Sequence, residues 1–307
     1  MSAQREQTDP KRYLGLDVGG TQVKAGVFEP DGSRVAGEPQ DTQLASAEGF
    51  LDALAEQAKR YGSVDGVGLG MPGVFRTGTG VLQRSSNLEV LEGVDLIGGL
   101  AKRLGCSPTA ISVGNDANLA AFGEQGFGAG IGIDDLVMVT LGTGVGGGIV
   151  LGGRLVTGPG GKAGEIGHVV VRPKDAGGPP CKCGSFGCLE VLASADAATR
   201  RAREAGLAGS LKEVCGRARL APGPERDLLH AIGRDLGSGL AYAVTLLDLD
   251  LFLVGGGLGQ SLDVLLPGAL ETLAERSYGN DAPRLIPAQL GNDAGWIGAA
   301  RMAAISA

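Results

Sequence analysis

The sequence predicts an α/β fold, arranged as two domains or as one large α/β body. Its 307 residues exceed the usual reach of a single hydrophobic core. Short apolar runs of strand length alternate with stretches of helical periodicity. The third observation is internal repetition: an apolar run, a glycine turn carrying a threonine and a returning run occur at Leu16–Thr21 and again at Thr140–Gly146. Aromatics are only 4% of the residues, so aliphatic side chains must fill the core. The 56 glycines follow no collagen period and gather at the ends of apolar runs.

Taken in order, Tyr13–Val18 reads as a buried strand, and Gly19-Gly20 turn it into a second strand, Gln22–Phe28. Asp31-Gly32 offers another turn. Phe50, Leu51, Leu54 and Ala58 form one stripe of a helix over 45–61, which leads into a strand over 64–70. Ala110–Val113 is a strand, Gly114-Asn115-Asp116 a turn, and 117–125 an alanine-rich helix. Leu136–Leu141 is a strand, the glycines from Gly142 to Gly148 form a turn, and Ile149–Leu151 returns. A long helix over 228–247 precedes the strand Leu251–Val254, the glycines Gly255, Gly256 and Gly257, a helix over 258–276 and a last helix over 294–305. Stretches 177–180 and 221–224 are Pro/Gly-rich loops.

A net charge of −7 argues against broad nucleic-acid or anionic-membrane contact, so any phosphate must be held locally. The first 12 residues are polar and read as a flexible leader; no run reaches the ~18 apolar residues of a membrane span, which makes a cytoplasmic location the expectation. Five cysteines, two of them isolated at Cys106 and Cys215, do not suggest a disulfide framework.

Gly142–Gly147 contains G-x-G-x-x-G, but strand-like residues follow where a dinucleotide-binding turn would open a helix, and no Walker A sequence occurs. A glycine hairpin holds phosphate differently, because without Cβ atoms its backbone N–H groups can converge on an anion. Either turn alone could simply join strands; three of them, with Asp17, Thr21 and Thr143 at the tips, favour phosphate binding. The set resembles the sugar-kinase branch of the actin-like ATPases, specifically the repressor/open reading frame/kinase (ROK) family. Leu16-Asp-Val-Gly-Gly-Thr-Gln-Val-Lys24 is similar to its first phosphate motif, Leu141-Gly-Thr-Gly-Val-Gly-Gly-Gly148 to its second and Val254-Gly-Gly-Gly-Leu258 to its adenosine motif. The resemblance implies an actin-like ATPase (ribonuclease H-like) fold with two domains flanking a cleft: 13–115 with 294–307 as the small domain and 116–293 as the large one. Gly19, Gly20, Thr21, Gly142, Thr143 and Gly144 would hold the phosphates of ATP, and Gly255, Gly256 and Gly257 would back its adenosine. Asp17 would face Mg2+, through water, while Lys24 is either near phosphate or solvated.

A sugar hydroxyl is a poor nucleophile and benefits from a carboxylate that accepts its proton. From the sequence alone Asn115 and Asp116 could equally be helix caps. The resemblance implies that Asn115 grips sugar and Asp116 is the catalytic base. It likewise implies sugar contacts from Gly73, Asn87, Glu165, His168 and Glu190, although Asn87 is also a good turn former. His168, Cys181, Cys183 and Cys188 offer one nitrogen and three sulfurs, the ligand set of a closed, structural zinc site. Cys181 and Cys183 flank Lys182 and are followed by Gly184, and Gly187 precedes Cys188, so tight turns can bring three thiolates to one ion. The family carries the same pattern. Zinc would fold a loop of little apolar content whose ends bear Glu165 and Glu190, and His168 could give one ring nitrogen to the metal and the other to sugar.

The expected activity is ATP-dependent phosphorylation of the C6 hydroxyl of glucose, with Mg2+ and structural Zn2+. An N-acetylmannosamine or N-acetylglucosamine kinase shares every motif named. A sugar-responsive regulator is the non-enzymatic reading; the family's repressors carry a DNA-binding domain in front, whereas only about 12 residues precede the first strand here. The resemblance also implies a homodimer or homotetramer, with no nucleic-acid or membrane partner.

Overall fold

The computed structural model describes residues 11–29, 33–42, 44–76, 78–85, 87–278 and 283–306. The turn expected at Asp31-Gly32 and most of the polar leader lie outside them. By packing, the chain divides into two compact units: the described residues up to Gly123 together with those from Asp293 onward, and Glu124–Asn292.

The first unit carries strands β1 (Tyr13–Val18), β2 (Gln22–Phe28), β3 (Arg34–Ala36), β4 (Gln40–Asp41), β5 (Gly66–Met71), β6 (Val74–Phe75), β7 (Leu82–Arg84) and β8 (Ile111–Asn115), with helices α1 (Ala47–Lys59) and α2 (Leu96–Leu104). Its main sheet runs β3-β2-β1-β5-β8, with β4 on β2. β1 and β2 form the expected antiparallel hairpin, whereas β1, β5 and β8 are parallel. Helix α1 starts where the Ser46 side chain accepts from the Gly49 amide, and its apolar stripe, with Phe50, Leu51 and Leu54, is buried against the sheet core. The C-terminal helix, Ala294–Ser306, lies directly on this sheet. Gly15 and Gly68 make that possible, because a methyl at either would overlap a backbone carbonyl, of Trp296 or of Ala299 respectively.

Helix α3 (Asp116–Phe127) follows β8 without an intervening loop, so Gly114 and Asn115 are strand residues and the expected turn at 114–116 is a strand-to-helix junction. In the second unit β9 (Leu136–Leu141), β10 (Val145–Leu151) and β11 (Arg154–Val156) form an antiparallel meander. The helices there are α4 (Glu190–Ala193), α5 (Ala195–Glu204), α6 (Leu211–Leu220), α7 (Pro224–Leu247), α8 (Gly256–Gly259) and α9 (Leu262–Arg276), with parallel strands β12 (Leu251–Gly255) and β13 (Arg284–Pro287). Its sheet order is β11-β10-β9-β12-β13.

The two sheets share one plan: a three-stranded antiparallel meander whose first strand continues into parallel neighbours. The repeat read from the glycine turns is therefore a repeat of topology, with the β1–β2 and β9–β10 turns in equivalent positions. Two expectations shift in detail. β10 already begins at Val145, so Gly146–Gly148 are strand residues and the turn is confined to Gly142-Thr143-Gly144. The helix expected over 258–276 is two helices, broken around Gln260-Ser261. Among the described residues no helix is long and apolar enough to cross a membrane.

Candidate active site and metal centre

In parallel α/β sheets ligands gather beyond the carboxyl ends of the strands. In the first unit those ends carry Asp17 on β1, the turn through Gly73 after β5, Asn115 as the last residue of β8 and Asp116 just beyond it. The Asn115 amide nitrogen donates to the Gly73 carbonyl (3.2 Å), and its side-chain oxygen accepts from the Asn118 amide (3.0 Å). Both polar ends of Asn115 are thereby fixed. Asp116 accepts from the Ala117 amide through Oδ1 (2.9 Å), which orients its carboxylate at the start of α3. Gly73 has φ of +139° and would meet Arg84 O at 2.7 Å and Ser85 Cβ at 3.2 Å if it carried a methyl. The turn is thus pressed against the segment that bears Asn87, which is exposed and whose amide donates to Ser85 Oγ (3.4 Å).

Asp17 is the electrostatic anomaly of this unit. Burial, and then the negative charge of Asp116, push its carboxyl up to about 7 from an ordinary 3.8, with Lys24 acting in the opposite sense. Lys24 pairs with Asp17 across the β1–β2 hairpin, which brings its charge to bear on that carboxyl. Gly295 in the C-terminal helix backs Asp17 so closely that a methyl there would come within 2.5 Å of the carboxyl carbon. At the β1–β2 turn the Gly19 amide donates to Gln22 O (2.8 Å), Gly20 faces open space and Thr21 is exposed. Two carboxylates beside an open glycine turn suit a divalent cation with phosphate oxygens, since the cation would relieve the repulsion that raises Asp17.

The second unit presents an equivalent turn. Gly142 N–H donates to Gly144 O (3.0 Å), Gly142 faces open space and Thr143 is exposed. Beside it, at the end of the parallel neighbour β12, Gly255 pairs with Thr140. Gly256 has φ of +81° and lies so close to Leu141 that a methyl would meet its carbonyl carbon at 2.6 Å. Gly257 opens onto free space within the short helix α8. The second and third glycine motifs are thus neighbours at one sheet edge. Glu190, the first residue of α4, accepts from the Val145 amide (3.2 Å) at the foot of the Gly142-Thr143-Gly144 turn.

The metal-ligand cluster assembles as the sequence suggested. The candidate ligand atoms of His168, Cys181, Cys183 and Cys188 all lie within 4.8 Å of one another. Cys183 Sγ is 3.6 Å from Cys188 Sγ, and Cys181 Sγ is 3.8 Å from His168 Nδ1. A tetrahedron with Zn–S bonds of ~2.3 Å has edges of about 3.8 Å, so the donor set fits zinc. Burial, reinforced by the other two thiols, pushes Cys188 up to about 12, which means that three thiolates here require a cation to compensate them. His168 Nδ1 faces the sulfurs and Nε2 faces Glu165 (4.0 Å). Burial raises the Glu165 carboxyl, His168 opposes that shift and Glu190 adds to it, so these three groups sense one another.

Sequence reading missed Asp235, Arg172 and Arg201, charged residues that no motif distinguishes. His230, partly exposed on α7, places its Nε2 3.2 Å from Glu271 on α9.

Comparison with known proteins agrees with this geometry. The ROK family profile matches residues 13–305. A glucokinase of Thermotoga maritima is 32% identical over 94% of this chain and 96% of its own length. An N-acetylmannosamine kinase of Escherichia coli is 31% identical over 94% of this chain and 97% of its own. The crystal structure of a ROK family glucokinase from Streptomyces griseus, in complex with glucose and AMPPNP, superposes with a TM-score of 0.78 at 32% identity, covering 96% of this chain and 99% of that one. The fold is the actin-like ATPase fold of the ROK sugar kinases. The chain belongs to the ROK family, and its relatives make it a sugar kinase.

Proposed function

We propose that the chain phosphorylates the C6 hydroxyl of glucose from ATP. The observation that carries this reading is the β8–α3 junction, where Asn115 is fixed at both ends and Asp116 is oriented beside Asp17 at the carboxyl edge of the sheet. Asp116 accepts the proton of the attacking hydroxyl, which raises that oxygen's nucleophilicity as it meets the γ-phosphorus. Asn115, Gly73, Asn87, Glu165, His168 and Glu190 hold the ring hydroxyls. Matching each of them matters, because every hydroxyl taken out of water without a partner costs affinity.

The turns Gly19-Gly20-Thr21 and Gly142-Thr143-Gly144 hold phosphate oxygens through backbone amides, and Gly255-Gly256-Gly257 back the adenosine. Asp17 is the carboxylate for Mg2+, which when bound neutralises charge on the β- and γ-phosphates. His168, Cys181, Cys183 and Cys188 hold structural Zn2+, whose chemistry is to fix the loop and leave His168 Nε2 for sugar. The small domain is assigned to 13–115 with 294–307 and the large one to 116–293. The enzyme is assigned to the cytoplasm as a homodimer or homotetramer.

An ADP-release assay over glucose, mannose, fructose, N-acetylglucosamine and N-acetylmannosamine tests the assignment. Glucose should give the highest kcat/KM; a preference for an N-acetylated sugar overturns it in favour of the amino-sugar reading, which the N-acetylmannosamine kinase relative supports.

A further inference from the structure

Beneath the metal loop lies a buried carboxylate with no part in the chemistry described so far. Asp235, within α7, is only 6% exposed. Its Oδ1 accepts from Arg172 Nη2 at 2.9 Å and its Oδ2 from Arg201 Nη1 at 2.7 Å, one oxygen for each guanidinium.

The two arginines lead to different parts of the site. Arg172 belongs to the segment between His168 and Cys181, and its backbone is clasped by that loop: its amide donates to Gly187 O (3.2 Å), and its carbonyl fills the space that a methyl at Gly178 or Gly187 would need. Arg201, on α5, also donates through Nη1 to Leu192 O (2.8 Å) in α4, the helix that begins at Glu190. One carboxylate therefore braces both the loop that bears the metal ligands and the helix that bears the carboxylate next to the phosphate turn.

The arrangement requires an anion. An asparagine could accept from one arginine but would turn its NH2 group toward the other, leaving two like-charged guanidinium groups without compensation.

We infer that Asp235 is a positioning residue: through Arg172 and Arg201 it sets the direction of His168 and Glu190, and with it both sugar affinity and retention of the metal. The inference rests on the sugar-kinase reading of these residues. It calls for two independent readouts on the purified full chain: KM for sugar and for ATP with whichever sugar the unaltered protein turns over, and the rate at which bound zinc passes to the chelator 4-(2-pyridylazo)resorcinol.

Loss of a group that orients metal ligands typically costs about 10–100-fold in affinity or activity. Asp235→Asn should therefore raise sugar KM and zinc transfer by about that factor, with ATP KM changed less than about twofold, and Asp235→Glu should recover part of both. Should Asp235→Asn fail to fold, Arg172→Gln, which cuts only the loop arm, should speed zinc transfer, and Arg201→Gln, which cuts only the helix arm, should raise sugar KM. A purely structural role would lower the melting temperature while leaving zinc transfer and the sugar-to-ATP KM ratio as they were, and that result overturns the inference. Failure of the kinase reading is distinguishable, since the unaltered chain would then turn over no sugar while zinc transfer still reports on the brace.

Discussion

Asp17 gives the sharpest quantitative test, because its proposed role and its effect on stability have opposite signs. The folded chain holds the Asp17 proton up to about pH 7, against an ordinary 3.8, so folding favours the protonated form. Stability from this residue is greatest with the proton on, at low pH, and is lost as the pH rises from about 3.8 through about 7. At about 1.4 kcal/mol per pH unit between the two values, the titration of Asp17 lowers the stability of the ligand-free protein, relative to low pH, by about 4 kcal/mol at pH 8 and by about 2 kcal/mol at pH 5, where only the unfolded chain has ionised. These are ceilings, since the residue is only half-buried. Asp17→Asn keeps the shape and removes the charge. It should raise the melting temperature of the ligand-free protein at pH 8 by several degrees, up to about 10 °C, and by less at pH 5, while turnover falls. Calorimetry at the two pH values, with no nucleotide or magnesium, measures the difference. An equal gain at both pH values, or a loss at pH 8, would refute the burial-and-repulsion account.

Three further outcomes are expected. Asp116→Asn should bind sugar as the unaltered chain does, by calorimetric titration, yet lose about 10²–10⁴-fold in kcat; turnover at the unaltered level removes Asp116 from the base role. Cys183→Ser should lose its zinc by elemental analysis and open the loop to proteolysis between His168 and Cys188, whereas full metal content would show that Cys183 is not a ligand. Gly68→Val drives a branched side chain into the Ala299 carbonyl and should cost about 1–3 kcal/mol or more in urea unfolding; an unchanged midpoint would mean that the C-terminal helix does not rest on β5 as described.

The sequence announced those parts of the molecule in which rare residues or turn chemistry carry the information. Of two histidines and five cysteines, one histidine and three cysteines fall close together, and all four meet in space. The β1–β2 and β9–β10 hairpins were legible because glycine turns separate clear apolar runs. Glycine misled where it does other work. Gly146–Gly148 read as turn but are strand, and Gly147 is glycine because a methyl there would press on the Gly164 carbonyl at 2.6 Å. Gly256–Gly259 form a helical turn despite poor helix propensity, because the chain is wedged against Leu141. Helices α2, α5 and α6 passed unread since their buried stripes are short. Asp235, Arg172 and Arg201 were invisible for a different reason: a long-range ion triad leaves no local pattern, and its members look like ordinary surface charge until the fold joins them.

The contact between Glu190 and the Gly142-Thr143-Gly144 turn ties these observations together. Glycine at 144 is not required by its φ, which is not positive; a methyl there would overlap Glu190 Oε2. That oxygen accepts from Val145 N–H, while the Ala195 amide at the start of α5 donates to Gly142 O (2.8 Å), so both ends of the turn are held by the segment that follows Cys188. On the other side, a methyl at Gly167 would overlap Val145 O. The turn is therefore wedged between the single 3-10 turn Ile166–His168 and the helix that carries Glu190. Within this unit the loop that bears the His/Cys cluster, Glu190 and the Gly142-Thr143-Gly144 turn are thus in direct contact. A loop with so few apolar side chains could not hold that geometry by hydrophobic packing; under the proposed reading a thiolate-bound metal and the buried Asp235 would supply the rigidity from opposite sides.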